Sequence, residues 1–284
     1  MQGQAASWTA LFASIARAAH QVLDGHPKLL DDPVVVGLVE GTSVSEIRAQ
    51  AAQFDTPMQR LVRSLFVLRS RFVEDRLRAA VESGVKQYIV LGAGLDTFAY
   101  RQPPWAAQLS IIEVDHPASQ ARKRDYLSRA GVAVAGNVSF CPLDFERERL
   151  MQGLRSSDFD SAQPAFFSWL GVTQYLTGTA IKDVLGEVSS CAPGSAIALS
   201  FVLADGLLSG LDAQTGNHFA ALAQGRGEPW LSRLSPEQLR TWLHAAGFAR
   251  VQHARPEALQ RHYYGRRTDG LTVPVFEQLM DAWL

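Results

Sequence analysis

QYIVLGAGLDTFAYR, residues Gln87 to Arg101, is the stretch on which the fold turns. A short apolar run ends in Gly92 and Gly94 on either side of Ala93, and Asp96 and Thr97 follow. Glycine adopts positive φ freely and lets another group come close to the backbone. The spacing predicts a strand closing in a tight turn beside a ligand, although a turn alone would also account for the glycines.

Working outward toward the C-terminus, further short apolar runs alternate with helical patterns. YIVL (88–91), LSIIEV (109–114), VSFCPL (138–143), AFFSWLGV (165–172) and AIALSFVL (196–203) each have the continuous apolar character of a strand buried on both faces. That alternation predicts an α/β fold with a doubly wound, mostly parallel sheet. SPEQLRTWLHAAG is a well-signalled helix, with Ser235 as N-cap, Pro236 at the first position, Gln238 placed for a capping box and Gly247 as the stop. AGFARVQHA (246–254) reads as a turn into another strand. A seventh strand has no clear place. LTVPVF (271–276) is one candidate, against which stand Pro274 and the helical pattern of FEQLMDAWL.

On the N-terminal side, residues 7–23 place Trp8, Leu11, Phe12, Ile15, Ala19 and Val22 at helical spacing behind a possible cap at Ser7. DDPVVVGLV is expected to resume helix after Pro33. A longer helix spans Pro57 to Ser83, stopped by Gly84 and rich in arginine. The expected organisation is one domain over 1–284. It comprises a helical cap (1–83), the sheet core (84–204), a Gly/Ala/Asn-rich lid insertion (205–230) and a completing segment (231–284).

Composition narrows the classes of partner. The chain has 284 residues, 47% of them hydrophobic, with a formal net charge of −1. No basic block offers itself to a nucleic-acid polyanion. Apolar runs stop short of membrane-spanning length, and the N-terminus lacks the pattern of a signal peptide. A cytoplasmic location is the expectation, with neither nucleic acid nor membrane as partner. The two cysteines, Cys141 and Cys191, lack metal-ligand spacing and read as buried small hydrophobes. Oligomeric state leaves no mark in the sequence.

The chemistry gathers after the strands. In a doubly wound sheet, ligands bind at the carboxyl ends, beside the point where strand order reverses. A dinucleotide fingerprint needs a third glycine where this chain has Thr97. IIEVDHP places Glu113 and Asp115 where a carboxylate could receive ribose hydroxyls, with Asp115 better placed. Asp144 in CPLDF could accept an adenine amino group while Phe145 offers the ring an apolar face. A diphosphate wants a grip at a helix N-terminus, yet Asp96 sits in that turn and would repel it. An adenosine cofactor without phosphate and with a cationic end fits better, which points to S-adenosyl-L-methionine.

These residues carry a resemblance. QYIVLGAGLDTFAYR, IIEVDHP, LDF and WLGVTQYL, with LLDDP, LRSRFVEDRL and LSPEQLRTWLHAAGF, resemble the leucine carboxyl methyltransferase superfamily in its bacterial S-adenosylmethionine-dependent branch. The likeness runs over nearly the whole chain. It implies a Rossmann-like class I methyltransferase fold with an N-terminal helical cap. It also implies that an arginine before the first strand pairs with the cofactor carboxylate: Arg71, with Arg69 as neighbour. Gly92, Ala93 and Gly94 would approach the methionine moiety, Asp115 the ribose, and Asp144 with Phe145 the adenine. One departure stands out. Where family members often carry the glutamate of an E-G-x-x-x-Y-L pattern, this chain has Leu170, so a cofactor contact there is lost or moved to the backbone.

The expected reaction is O-methylation of a carboxylate or hydroxyl of a small molecule. A carboxylate acceptor needs no base at neutral pH, whereas a hydroxyl needs one within hydrogen-bond reach. Candidates on the acceptor side are Thr173, Gln174 and Tyr175, then His218, His262, Tyr263 and Tyr264. None of them is singled out as a catalytic base. An NAD(P)-linked oxidoreductase and a non-catalytic cofactor-binding protein are the alternatives.

Overall fold

A computed structural model describes residues 8–284; the possible cap at Ser7 lies outside them. The chain begins with α1 (Trp8–Leu23), two short helices α2 (Val44–Ala49) and α3 (Ala51–Phe54), and the long α4 (Pro57–Glu82). Alternation follows: β1 (Gln87–Leu91), β2 (Ser110–Asp115), α5 (Pro117–Arg129), β3 (Val138–Pro142), α6 (Leu150–Leu154), β4 (Ala165–Trp169), α7 (Gly178–Ser189) and β5 (Ala196–Val202). The remainder includes α8 (Gly210–Gly225), α9 (Pro236–Ala246), β6 (Arg250–Ala254), the short α10 (Pro256–Leu259) and β7 (Glu277–Trp283).

Seven strands form one sheet in the order β3-β2-β1-β4-β5-β7-β6. The first five are parallel, with Leu91 opposite both Val114 and Trp169. β7 enters antiparallel between β5 and β6, pairing Ala196 with Trp283 on one side and Arg250 with the same residue on the other. Strand order reverses between β1 and β4, so a crevice opens at their carboxyl ends. β1, β4 and β5 are buried along their whole length, as their continuous apolar runs require. Each wholly buried Phe or Leu there contributes about 1.5–3 kcal/mol of transfer free energy.

Caps close the helices where the sequence places them. Thr56 Oγ1 accepts from the Gln59 N–H and Pro57 opens α4, while Gly84 adopts φ +100° just beyond it. Ser235 accepts from the Gln238 N–H, and Gly247 ends α9 in the left-handed region.

Two local expectations are corrected, and the 205–230 insertion takes a definite form. DDPVVVGLV forms only a single 3-10 turn at Pro33–Val35, because Asp32 turns inward to cap it and to meet Arg17. The Gly/Ala/Asn-rich insertion is largely the helix α8, whose Phe219 packs among Phe12, Phe66 and Trp8. FEQLMDAWL is not helical: it supplies β7, while LTVPVF is loop whose Val275 and Phe276 N–H groups donate to Asp212 Oδ1. The acidic residues of β7 lie inward because α4 provides their partners. Arg69 meets Glu277 at 3.0 Å and Arg76 meets Asp281 at 3.1 Å. Among the described residues no helix is long and apolar enough to cross a membrane. Both cysteines are buried and free, and burial pushes the Cys191 thiol up to about 11.

Candidate functional site

The crevice holds a cavity of about 250 Å³. Its floor is the turn after β1. Gly92 takes φ +67°, and a Cβ there would lie 2.4 Å from Val172 Cγ2, so no other residue fits without moving the wall. The chain then passes Gly94 and Asp96 into a 3-10 turn at Phe98–Tyr100 rather than an α-helix. No α-helix therefore follows the turn directly to offer a diphosphate its positive dipole end there.

Three carboxylates look into this space from three successive strand ends, since Asp96, Asp115 and Asp144 all line the cavity. Asp115 accepts from the Gly94 N–H at 2.5 Å and from the His116 N–H at 2.6 Å. Burial pushes its carboxyl up, against the pull of those two donors. Asp96 Oδ1 accepts from the Phe98 N–H, and Asp144 Oδ1 from the Glu146 N–H, so both are oriented by their own loops. Ala93, Phe145 and Leu170 complete the same lining. Glu113 is not part of it: it is buried, with its carboxylate 2.7 Å from Lys123 Nζ and 2.9 Å from the Tyr100 hydroxyl.

The arginines sort by helix geometry. Positions 69 and 71 are separated by about 200° around a helix, so only one of them can face the crevice. Arg69 does. Its guanidinium packs over Phe66 and so near Gly171 that a Cβ on that glycine would sit 2.6 Å from Nη1. Arg71 lies on the outer face, paired with Asp75 at 2.9 Å, and does not line the cavity. Tyr263 is on that same outer face, donating to Asp75 Oδ2 at 2.7 Å. His218 is exposed on α8, His262 is exposed beside Tyr263, and the Tyr264 hydroxyl is buried against Ser64. Gln174 and Thr173 are buried in the wall outside the lining, where Thr173 donates to the Ser200 carbonyl. Of these acceptor-side candidates only Tyr175 reaches the cavity. Burial pushes its phenol up.

Two elements of the site are absent from the sequence reading. Thr9, Ala10 and Ala13 of α1 roof the cavity. Arg17, buried on the same helix, ties that roof to the floor: it donates to Asp32 Oδ2 at 3.0 Å, to Thr97 Oγ1 at 3.1 Å and to the Leu95 carbonyl. An arginine on the face of α1 that also buries Ala13, Ala16 and His20 is the signal that could have revealed it. The donor set suits S-adenosylmethionine. Carboxylates stand ready for ribose hydroxyls and amino groups, an apolar face lies at Phe145, and Arg69 offers a fork to a carboxylate.

The sheet order, the crevice and this donor set define a class I methyltransferase. Residues 10–189 match the family model described as leucine carboxyl methyltransferase, and the chain belongs to that family. It is 27% identical over 293 residues to the "Putative S-adenosyl-L-methionine-dependent methyltransferase YktD" of Bacillus subtilis, spanning 96% of each chain. A Mycobacterium bovis protein described as a "Putative S-adenosyl-L-methionine-dependent methyltransferase" is 32% identical over 213 residues, 71% of this chain and 67% of its own. Among solved structures, a methyltransferase-like protein from Thermobifida fusca superposes with a TM-score of 0.58 at 17% identity. That superposition covers 95% of this chain and 93% of the other, a likeness of fold.

Proposed function

We propose that this methyltransferase acts on an oxygen, carboxylate or hydroxyl, of a small molecule, with S-adenosylmethionine as donor. The observation that carries the reading is the turn after β1. It exposes backbone and three carboxylates to the crevice and leads into no α-helix, which favours an adenosine sulfonium over a diphosphate in that turn. A family described by carboxyl methylation supports oxygen as the acceptor atom. The α1 roof supports a small acceptor, because Thr9, Ala10 and Ala13 cover one side of the crevice.

When bound, the cofactor supplies an electrophilic methyl group. The protein's part is alignment, since in-line displacement gains most from holding the two reactants in attack geometry. In this reading Asp115 fixes the ribose, Asp144 and Phe145 the adenine, and Arg69 the carboxylate.

Calorimetric titration with S-adenosylhomocysteine tests this. Saturable binding is expected, about 10-fold or more weaker in Asp115→Ala, which loses a charge-assisted hydrogen bond. Absence of binding, or displacement by a reduced nicotinamide dinucleotide, would defeat the reading.

A further inference from the structure

One wall of the chamber carries chemistry that holding a cofactor does not require. Tyr175 and Thr9 both line it, and their hydroxyl oxygens are 2.8 Å apart. Thr9 Oγ1 donates to Glu228 Oε2 at 2.9 Å, and Glu228 Oε1 accepts from the Trp8 N–H at 3.1 Å. A hydroxyl has a single proton to give. With the threonine's proton committed to Glu228, the one between Thr9 and Tyr175 belongs to the tyrosine. Donation therefore runs one way, from Tyr175 to Thr9 to Glu228, and the phenol oxygen, which also has Gln174 and Trp230 beside it, accepts from the chamber side that Tyr175 lines.

The wall stands on the acceptor side. Adenosine belongs over the ends of β3 and β2, and the methionine part belongs over the β1 turn. A methyl group on a cofactor seated this way would face the segment after β4, where Tyr175 sits. Phe66, Ala13 and Leu176 make this end apolar, and Phe66 is edge-on to Phe12 with centroids 6.0 Å apart. The arginines nearby have other roles: Arg17 is paired with Asp32, and Arg69, which also meets Glu277, is assigned above to the cofactor carboxylate. Glu228 is 8% exposed, and a relay that ends on it suits an acceptor that brings its own proton, which a carboxylate at neutral pH does not.

We infer that Tyr175, Thr9 and Glu228 form a proton relay serving a neutral aromatic hydroxyl, so that the methyl acceptor is a phenol and not a carboxylate. The inference rests on the O-methyl transfer reading above and names its substrate class. The phenol oxygen of the acceptor bonds to the methyl carbon as the carbon–sulfur bond breaks, its electron pair remaining on sulfur. The acceptor's proton passes to the Tyr175 oxygen, the tyrosine's to Thr9 and the threonine's to Glu228, which returns it to solvent.

Phenol and benzoate are probes of similar size, one neutral and one anionic at neutral pH. With wild-type protein saturated with S-adenosylhomocysteine, calorimetry should show phenol binding at least about tenfold tighter than benzoate. In Glu228→Gln that preference should fall to within about twofold. Transfer of a radiolabelled methyl group to phenol should fall about 100-fold or more, the usual contribution of a positioned base. Equal or tighter binding of benzoate, binding of neither probe, or a preference that survives in Glu228→Gln overturns the relay. The wild-type comparison decides even if that variant does not fold, and Tyr175→Phe repeats the transfer measurement. Retained S-adenosylhomocysteine binding would leave the broader reading in place, whereas its absence in wild type defeats that reading instead.

Discussion

Arg69 and Arg71 are chemically identical side chains two positions apart, and the helix gives them opposite environments. Arg69 faces the crevice with its guanidinium against Gly171 and Phe66, whereas Arg71 reaches solvent beside Asp75. The cofactor-carboxylate role therefore falls to Arg69 in our reading. Arg69→Gln should weaken S-adenosylhomocysteine binding about 10- to 100-fold, the equivalent of one charge-assisted hydrogen bond. Arg71→Gln should stay within about twofold of wild type, because an exposed ion pair contributes little. Calorimetry on both variants, with circular dichroism to confirm folding, checks the pair. A loss confined to Arg71→Gln would reverse the assignment.

The element that the sequence concealed is β7, and its burial explains why. Phe276, Leu279, Met280 and Trp283 recur at helical spacing, and Glu277 and Asp281 are four apart, as on a solvated helix face. In the sheet those same two acids share one face of a strand and meet Arg69 and Arg76, which are seven apart on one face of α4. A strand with buried carboxylates violates the apolar pattern that marks inner strands, and only the helix lying across it makes the violation tolerable. The parallel strands and the glycine turn were readable because no partner from a distant segment is needed to explain them. The α1 roof and Glu228 were not, because their roles depend on contacts more than a hundred residues away. Burial raises the Asp281 carboxyl to about 6, opposed by Arg76 and Arg250. An acid whose folded pKa is raised binds protons preferentially in the folded state, so its contribution to stability declines as pH rises from about 4 to about 6 and is flat above. Asp281→Asn should therefore match wild type near pH 4 and gain on it by about 1–3 kcal/mol at pH 7 in urea unfolding. A constant difference across that window would show that the aspartate is not neutral when folded at low pH.

Across the molecule, the cofactor turn and the N-terminal helix are one mechanical unit. Arg17 and Asp32 meet Thr97 beneath the turn, Arg101 joins Asp32 at 3.3 Å, and α1 lines the chamber from above. A ligand seated between them should suppress local opening of the roof. Amide hydrogen exchange over residues 8–17 is expected to slow at least about tenfold when S-adenosylhomocysteine binds, while the exposed β6 end of the sheet is unchanged. Equal slowing everywhere would indicate global stabilisation alone. The position of β7 adds a constraint in time. It fills the gap between β5 and β6, and its Glu277 anchors the arginine that we assign to the cofactor. A ribosome releasing this chain exposes β5 long before residues 277–283 emerge, and until then the open flank of that strand has no native neighbour. In our reading, competence to bind cofactor is thus gained only once residues 277–283 have emerged, and nascent chains have an interval in which chaperone capture competes with completing the sheet.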